Sequence, residues 1–174
     1  LAYSHERRVS ESELEPVLKV LKEKNGLLAV HLRDEGNNLL EGVDEVIGIG
    51  RKYKISVHIY HLKAFGRESW DLFPKALADI EGARDGGVDI SFDAYPYNTT
   101  ATVLYLLLPE WATEGGKAKV LERLRDKETR EKIKEELSEK EADLEGIVIA
   151  QGNINQIFIG KTFGEIARNQ ETSV

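Results

Sequence analysis

The chain predicts an α/β fold with a parallel sheet, and three observations carry that expectation. Helix-like and strand-like periodicities alternate in the order α-β-α-β-α-β. The repeat is about thirty residues, the length of a right-handed βαβ unit. The strand-like segments are short, continuous apolar runs of the kind a parallel sheet uses. With 174 residues, 41% hydrophobic and 32% charged, the chain is long enough to bury one core.

Residues 10–24, SESELEPVLKVLKEK, place Leu14, Val17, Leu18 and Leu21 at the spacing of one helix face. Ser12 and Glu15 are spaced as a capping box, which puts Pro16 in the tolerated first turn. Asn25-Gly26 ends the helix, and LLAVH at 27–31 reads as a strand buried on both faces. Residues 37–53 return to helix, with Leu39, Val43, Val46 and Ile47 on one side. ISVHIYH at 55–61 is β-branched and strand-like. A third helix at 69–84 rests on Trp70, Phe73, Leu77 and Ile80 and ends at Asp85-Gly86-Gly87. VDISFDAYPY at 88–97 is a third strand.

Beyond Gly115-Gly116 the rhythm breaks. Residues 117–145 are dense in Lys, Glu and Arg, with Val120, Leu121, Leu124, Ile133 and Leu137 as sparse anchors. They read as two or three solvated helices inserted after the third strand. GIVIA at 146–150 resumes as a fourth strand, and KTFGEIA opens a helix capped by Thr162 and Glu165. The expected organisation is βα units over 1–116, a charged helical insertion at 117–145, and the next βα unit at 146–174. Periodicity alone leaves two architectures open, a small doubly wound domain and part of a barrel.

Composition excludes several classes of function. A net charge of −7 and a pI near 5.2 argue against nucleic acid or an anionic membrane as partner. Absence of cysteine removes a disulfide framework and any thiolate nucleophile or ligand. No apolar run approaches the ~20 residues of a membrane-spanning helix, and no signal-peptide pattern opens the chain. A cytoplasmic location is expected. The chain holds no methionine, not even at position 1, and so reads as an internal piece of a longer protein.

In parallel α/β folds the chemistry collects beyond the carboxyl ends of the strands. Those ends carry His31, His61 and Asp93, side chains suited to metal chemistry. A single histidine on an apolar run is commonly a satisfied core residue. Two at equivalent places in successive units point to a metal. Residues i and i+2 on a strand share a face, which sets Arg33 beside His31 and Lys63 beside His61. A cation next to a metal makes sense as a clamp for a substrate anion. The bland reading is a salt bridge, for which Arg33 has Asp34 and Glu35 at hand while Lys63 has no adjacent acid. Tyr95, biased to extended backbone by Pro96, offers a phenol to a carboxylate or a developing oxyanion. Tyr97 reads as an aromatic filler. His5 and His58 read as bystanders, His58 on the opposite strand face from His61 and pointing at the covering helices.

The stretch AVHLRDEGNNLLEGVDEVIGIGRKYKISVHIYHLKAFGRESW, followed by DAYPYNTT and LLPEW, resembles the N-acyl-D-amino-acid deacylases of the metal-dependent amidohydrolase superfamily. The resemblance covers roughly residues 26–116 and resumes at GKTFGEIA. It implies a (β/α)8 barrel with zinc at its mouth. A whole barrel takes ~250 residues, so this chain would hold about four βα units, a partial TIM-type barrel with a helical insertion. The family's metal-binding histidines of strands five and six fall on His31 and His61. Its substrate-carboxylate contacts fall on Lys63 and Tyr95, with Arg33 as a further candidate from the residue reading.

Two departures stand out. Tyr60 occupies a place before His61 that is small or polar in the family. The first-strand His-x-His pair, the ligand from the early strands and the last-strand aspartate that acts as general base all fall outside this chain. Asp93 cannot stand for that aspartate, because it sits in the Tyr-Pro-Tyr motif of the preceding strand. The resemblance therefore implies part of a zinc-dependent hydrolase of N-acyl-D-amino acids, with the segment alone silent and holding zinc weakly or not at all. The runners-up are a hydantoinase- or dihydroorotase-like cyclic amidohydrolase and a non-catalytic scaffold. Expected partners are an N-acyl amino acid, the remainder of the parent chain, and a second copy joined as a homodimer through exposed strand edges.

Overall fold

A computed structural model describes residues 1, 9–138, 144–152 and 155–172. The expectation for His5 lies outside the described residues. The chain divides into two compact units, Leu1–Thr102 and Val103–Val174.

In the first unit, α1 (Glu11–Glu23), β1 (Leu27–Val30), α2 (Leu39–Tyr53), β2 (Ser56–Ile59), α3 (Phe73–Asp85) and β3 (Ile90–Phe92) follow in the expected alternation. The three strands are parallel and lie in chain order, β1-β2-β3. Leu27 stands opposite Ser56, and Val57 opposite Ile90. Each crossover is a helix, as parallel pairing requires.

The core lies between one face of this sheet and its helices. Val57, Ile59 and Ile90 from the strands meet Val43, Val46 and Ile47 of α2, Ala76 and Ile80 of α3, and Leu18 of α1, all essentially inaccessible. The apolar spacing read for α2 is therefore its buried face. Gly42 is buried in that helix, and a Cβ there would lie only 3.0 Å from the Asp34 carbonyl oxygen. That close approach seats the β1–α2 loop on the helix.

Local signals shifted in several places. The capping box of α1 is built by Ser10 and Glu13, whose carboxylate accepts from the Ser10 N–H (2.8 Å) and hydroxyl (2.7 Å). Glu15 pairs with Lys19 instead. Pro16 consequently lies inside the helix, past its first turn, where it withholds a donor from the Ser12 carbonyl. β1 is not buried on both faces, since Leu27 is about half exposed. Trp70 is no helix anchor: it sits in a 3-10 turn at Arg67–Leu72 and faces solvent. The third strand is three residues long, not ten, because its pairing with β2 runs only from Ile90 to Phe92.

The second unit holds the short helix α4 (Glu110–Thr113), then α5 (Gly116–Arg125) and α6 (Lys127–Ser138). Arg123 donates to the carbonyls of Ala112 and Glu114, and the Trp111 indole donates to Glu136 at 2.9 Å. Of the expected apolar anchors only Ile133 is buried. Segment 146–150 is not a fourth strand of the sheet. It folds back on its own unit through a single antiparallel bridge, Val148 to Thr162, with the turn made at Gly160 (φ 80°). The last helix, α7 (Phe163–Asn169), carries the expected capping box: Thr162 Oγ1 accepts from the Glu165 N–H at 3.0 Å, and Glu165 accepts from the Thr162 N–H at 2.8 Å. Among the described residues no helix is long and apolar enough to cross a membrane.

Candidate metal centre

The strand ends bring the predicted histidines together. His31 directly follows β1. β2 keeps its pairing for one more residue, the Tyr60 N–H donating to the Val30 carbonyl at 2.9 Å. The backbone then turns at His61 into the left-handed region, φ 41°. That conformation costs an L-residue about 1–2 kcal/mol. Asp93, just past β3, holds it: its Oδ1 accepts from the His61 N–H at 2.6 Å and its carbonyl from the Leu62 N–H at 2.9 Å.

The result is a pair of facing imidazoles. His31 Nδ1 lies 2.5 Å from His61 Nε2, with ring centroids 4.5 Å apart and planes tilted by 28°. Burial, then the His61 imidazole and the N-terminal ammonium, push the His31 pKa down, with Glu35 opposing and Lys63 adding to the effect. That direction favours the neutral form, in which an imidazole offers a lone pair.

Lys63 lies on the far side of His61. Its ammonium is 2.7 Å from His61 Nδ1, 3.2 Å from the His61 carbonyl and 2.6 Å from Glu35 Oε2. The acid that the local sequence of Lys63 lacked arrives from the β1–α2 loop. Glu35 Oε1 is buried without a hydrogen bond, although it stands 3.0 Å from His61 Nδ1. The two loops are also tied directly, the Phe65 N–H donating to the Glu35 carbonyl at 2.6 Å.

The other candidates lie apart from this cluster or play other parts. Arg33 turns to α2, where it grips Glu45 through two nitrogens at 2.7 and 3.0 Å, and it donates to the Val9 carbonyl. Asp34 turns the loop by accepting from the Gly36 N–H at 2.6 Å. Tyr95 is partly buried, and among the described residues its hydroxyl has no hydrogen-bond partner. Tyr97 is largely exposed.

His58 is no bystander facing the helices. The helix-covered positions of β2 are Val57 and Ile59, so His58 takes the other face. There its Nδ1 is 2.8 Å from Ser91 Oγ and its Nε2 3.0 Å from Asp93 Oδ2. The reversed turn at His61 breaks the strand alternation that would have separated the two histidines. The His58 hydrogen bond, and then the His61 N–H, hold the Asp93 carboxyl below its ordinary pKa. Sequence reasoning missed the roles of His58 and Glu35. The period-two pattern of β2 alone carried the signal for His58, had Ile59 been taken as the core position.

Among the described residues no group of three His, Cys, Asp or Glu side chains gathers as a metal ion would need. Catalytic zinc takes three protein ligands and a water. His31 and His61 bring two imidazole nitrogens together, at 2.5 Å in hydrogen-bond contact with each other and closer than two ligands of one zinc ion stand.

The solved structures whose fold this chain resembles are amidohydrolases of the D-aminoacylase type. The N-acyl-D-glutamate deacylase of Bordetella bronchiseptica, solved with zinc and a phosphonate inhibitor, superposes with a TM-score of 0.69 at 22% identity, over 95% of this chain and 28% of that one. A D-aminoacylase structure described as defining a novel subset of amidohydrolases gives 0.60 at 24% identity, over 94% and 28%. In sequence, the chain is a relative of N-acyl-D-amino-acid deacylases. It is 32% identical to the N-acyl-D-glutamate deacylase of Alcaligenes xylosoxydans xylosoxydans over 114 residues, and 33% identical to the D-aminoacylase of the same organism over 102. Those matches cover 66% and 59% of this chain. The chain spans about a quarter of the curated relatives it matches, 23% and 21% of their lengths. No protein-family model matches it.

Proposed function

We propose that this chain is part of the (β/α)8 barrel of a zinc-dependent hydrolase that cleaves the amide bond of N-acyl-D-amino acids. The observation that carries the reading is the meeting of His31 Nδ1 and His61 Nε2 at the carboxyl ends of adjacent parallel strands, with a cation beside them. In this proposal β1 and β2 are neighbouring barrel strands and residues 117–145 a helical insertion.

His31 and His61 are the ligands this segment contributes; the remaining ligand and the general base come from outside it. When bound, zinc supplies Lewis-acid polarisation of the acyl carbonyl and a nucleophile from water at neutral pH. The chain's own residues position the substrate. Lys63 offers a charge-assisted hydrogen bond to the substrate carboxylate, and Tyr95 a phenolic donor. Arg33, held by Glu45, braces the loop that carries Glu35. Asp93 fixes His61 through its backbone N–H.

The test is an assay of the intact protein containing this segment against N-acyl-D-amino acids and, in parallel, cyclic ureides. Turnover of the linear amides, lost with His61→Ala and with chelation, is the expected result. Turnover of ureides alone would assign the barrel to ring-opening chemistry. Linear-amide turnover indifferent to His61→Ala would reject the metal assignment.

A further inference from the structure

We propose that Tyr60 is a specificity-determining residue, the aromatic wall against which the acyl group of the substrate rests. The inference rests on the amide-hydrolase reading above and names the part of the substrate that this segment measures.

β2 turns Val57 and Ile59 to the helices, so Ser56, His58 and Tyr60 share the opposite face. Ile59 stands opposite Val30, and the Tyr60 N–H extends that pairing to the Val30 carbonyl at 2.9 Å. Tyr60 is thereby set beside His31. Their ring centroids lie 5.4 Å apart, with planes tilted by 39°. The same phenol ring meets His58 edge-on, at 5.3 Å and 81°. His58 is itself fastened to Ser91 and Asp93. Two imidazoles therefore brace the ring, yet 41% of the residue's surface stays open. A large aromatic side chain held in place and left partly uncovered at the end of a sheet offers a contact surface for an apolar group.

The order of the side chains assigns that group. The Lys63 ammonium lies 2.7 Å from His61 Nδ1, the His61 and His31 centroids are 4.5 Å apart, and Tyr60 follows His31. In an N-acyl amino acid the carboxylate, the scissile carbonyl and the acyl chain come in the same order. With the carboxylate on Lys63 and the carbonyl at the imidazole pair, the acyl chain comes over Tyr60. The amino-acid side chain branches earlier, at the Cα, and leaves on the Lys63 side. Burying one methylene completely is worth roughly fourfold in affinity, and less against a ring that covers one side of it.

The test is kcat/KM of the intact protein containing this segment for the N-acetyl, N-butanoyl and N-hexanoyl forms of one D-amino acid. Wild type and Tyr60→Phe, which keeps the ring, are expected to gain roughly two- to fourfold per methylene from acetyl to butanoyl. In Tyr60→Ser the butanoyl-to-acetyl ratio is expected to fall to about one. Each ratio is taken within one protein, so a loss of folded fraction cancels. Tyr60→Trp, checked for its fold by circular dichroism, fills more of the same space and is expected to make acetyl the best chain. A wild-type ratio of about one would overturn the role of Tyr60 and leave the hydrolase reading standing. A ratio that ignores both Tyr60→Ser and Tyr60→Trp would do the same. No turnover of any of the three amides by the wild type would overturn that reading, and this inference with it.

Discussion

His61 does three things at once: its backbone ends β2, its ring meets His31, and its other nitrogen meets Lys63 and Glu35. Each depends on partners from the ends of neighbouring strands. In the intact protein, Lys63→Ala is expected to raise KM and to lower kcat/KM by roughly tenfold to a hundredfold, the range of a lost charged hydrogen bond. Orientation of the substrate goes with its binding, so kcat falls too. Steady-state kinetics that match the wild type would remove Lys63 from the site. At this scale the sequence placed both histidines and Lys63 at strand ends, because an apolar run closing on a polar residue marks the point where a strand leaves the sheet. It could not place Glu35 opposite Lys63. That contact joins two loops 28 positions apart, and nothing short-range encodes it. The face of His58 was misread because alternation was counted through a turn whose φ is positive.

At the scale of elements, helices were the most legible part of the chain. α2 follows its apolar spacing and α7 its capping box closely, since those signals act within one turn of the residues concerned. Strand limits were less legible, because a strand continues only as far as a neighbour pairs with it, and β3 pairs on one side. Packing between elements adds constraints that periodicity does not show. Gly42→Ala would set a methyl against the Asp34 carbonyl, a backbone atom that cannot swing aside. A loss of about 1–3 kcal/mol in denaturant unfolding is expected, with Glu35 displaced along with the loop. Unchanged stability would mean the loop yields freely.

α1 is joined to α2 by Glu11, which accepts from the Lys52 ammonium and the Tyr53 hydroxyl. These hydrogen bonds, Lys52 first, hold the Glu11 carboxyl below its ordinary pKa. A depressed folded value means the tether contributes fully above the unfolded carboxylate value of about 4.3 and is lost as pH falls through the folded one. Amide exchange protection of α1 should therefore drop on acidification, and Glu11→Gln should abolish that dependence while lowering protection at neutral pH. An α1 equally protected at both pH values would leave the tether without a role.

For the whole molecule, the sheet is the feature that matters. Among the described residues β1 and β3 each pair on one side only, and unpaired edges recruit further strands. In a complete barrel those strands come from the rest of the chain; in the 174-residue chain alone the nearest supply is a second copy. Light scattering is expected to report a dimer at high concentration, and a monodisperse monomer would argue that other segments cover the edges.

The proposal makes His31 and His61 two ligands of a zinc ion, with no third ligand gathered beside them among the described residues. Equilibrium dialysis of the purified, tag-free chain against zinc, followed by elemental analysis, tests it most directly. Weak zinc that washes out on further dialysis, and that disappears in both His31→Ala and His61→Ala, is the predicted result. Zinc retained near one per chain after dialysis, or binding that survives His61→Ala, would contradict it.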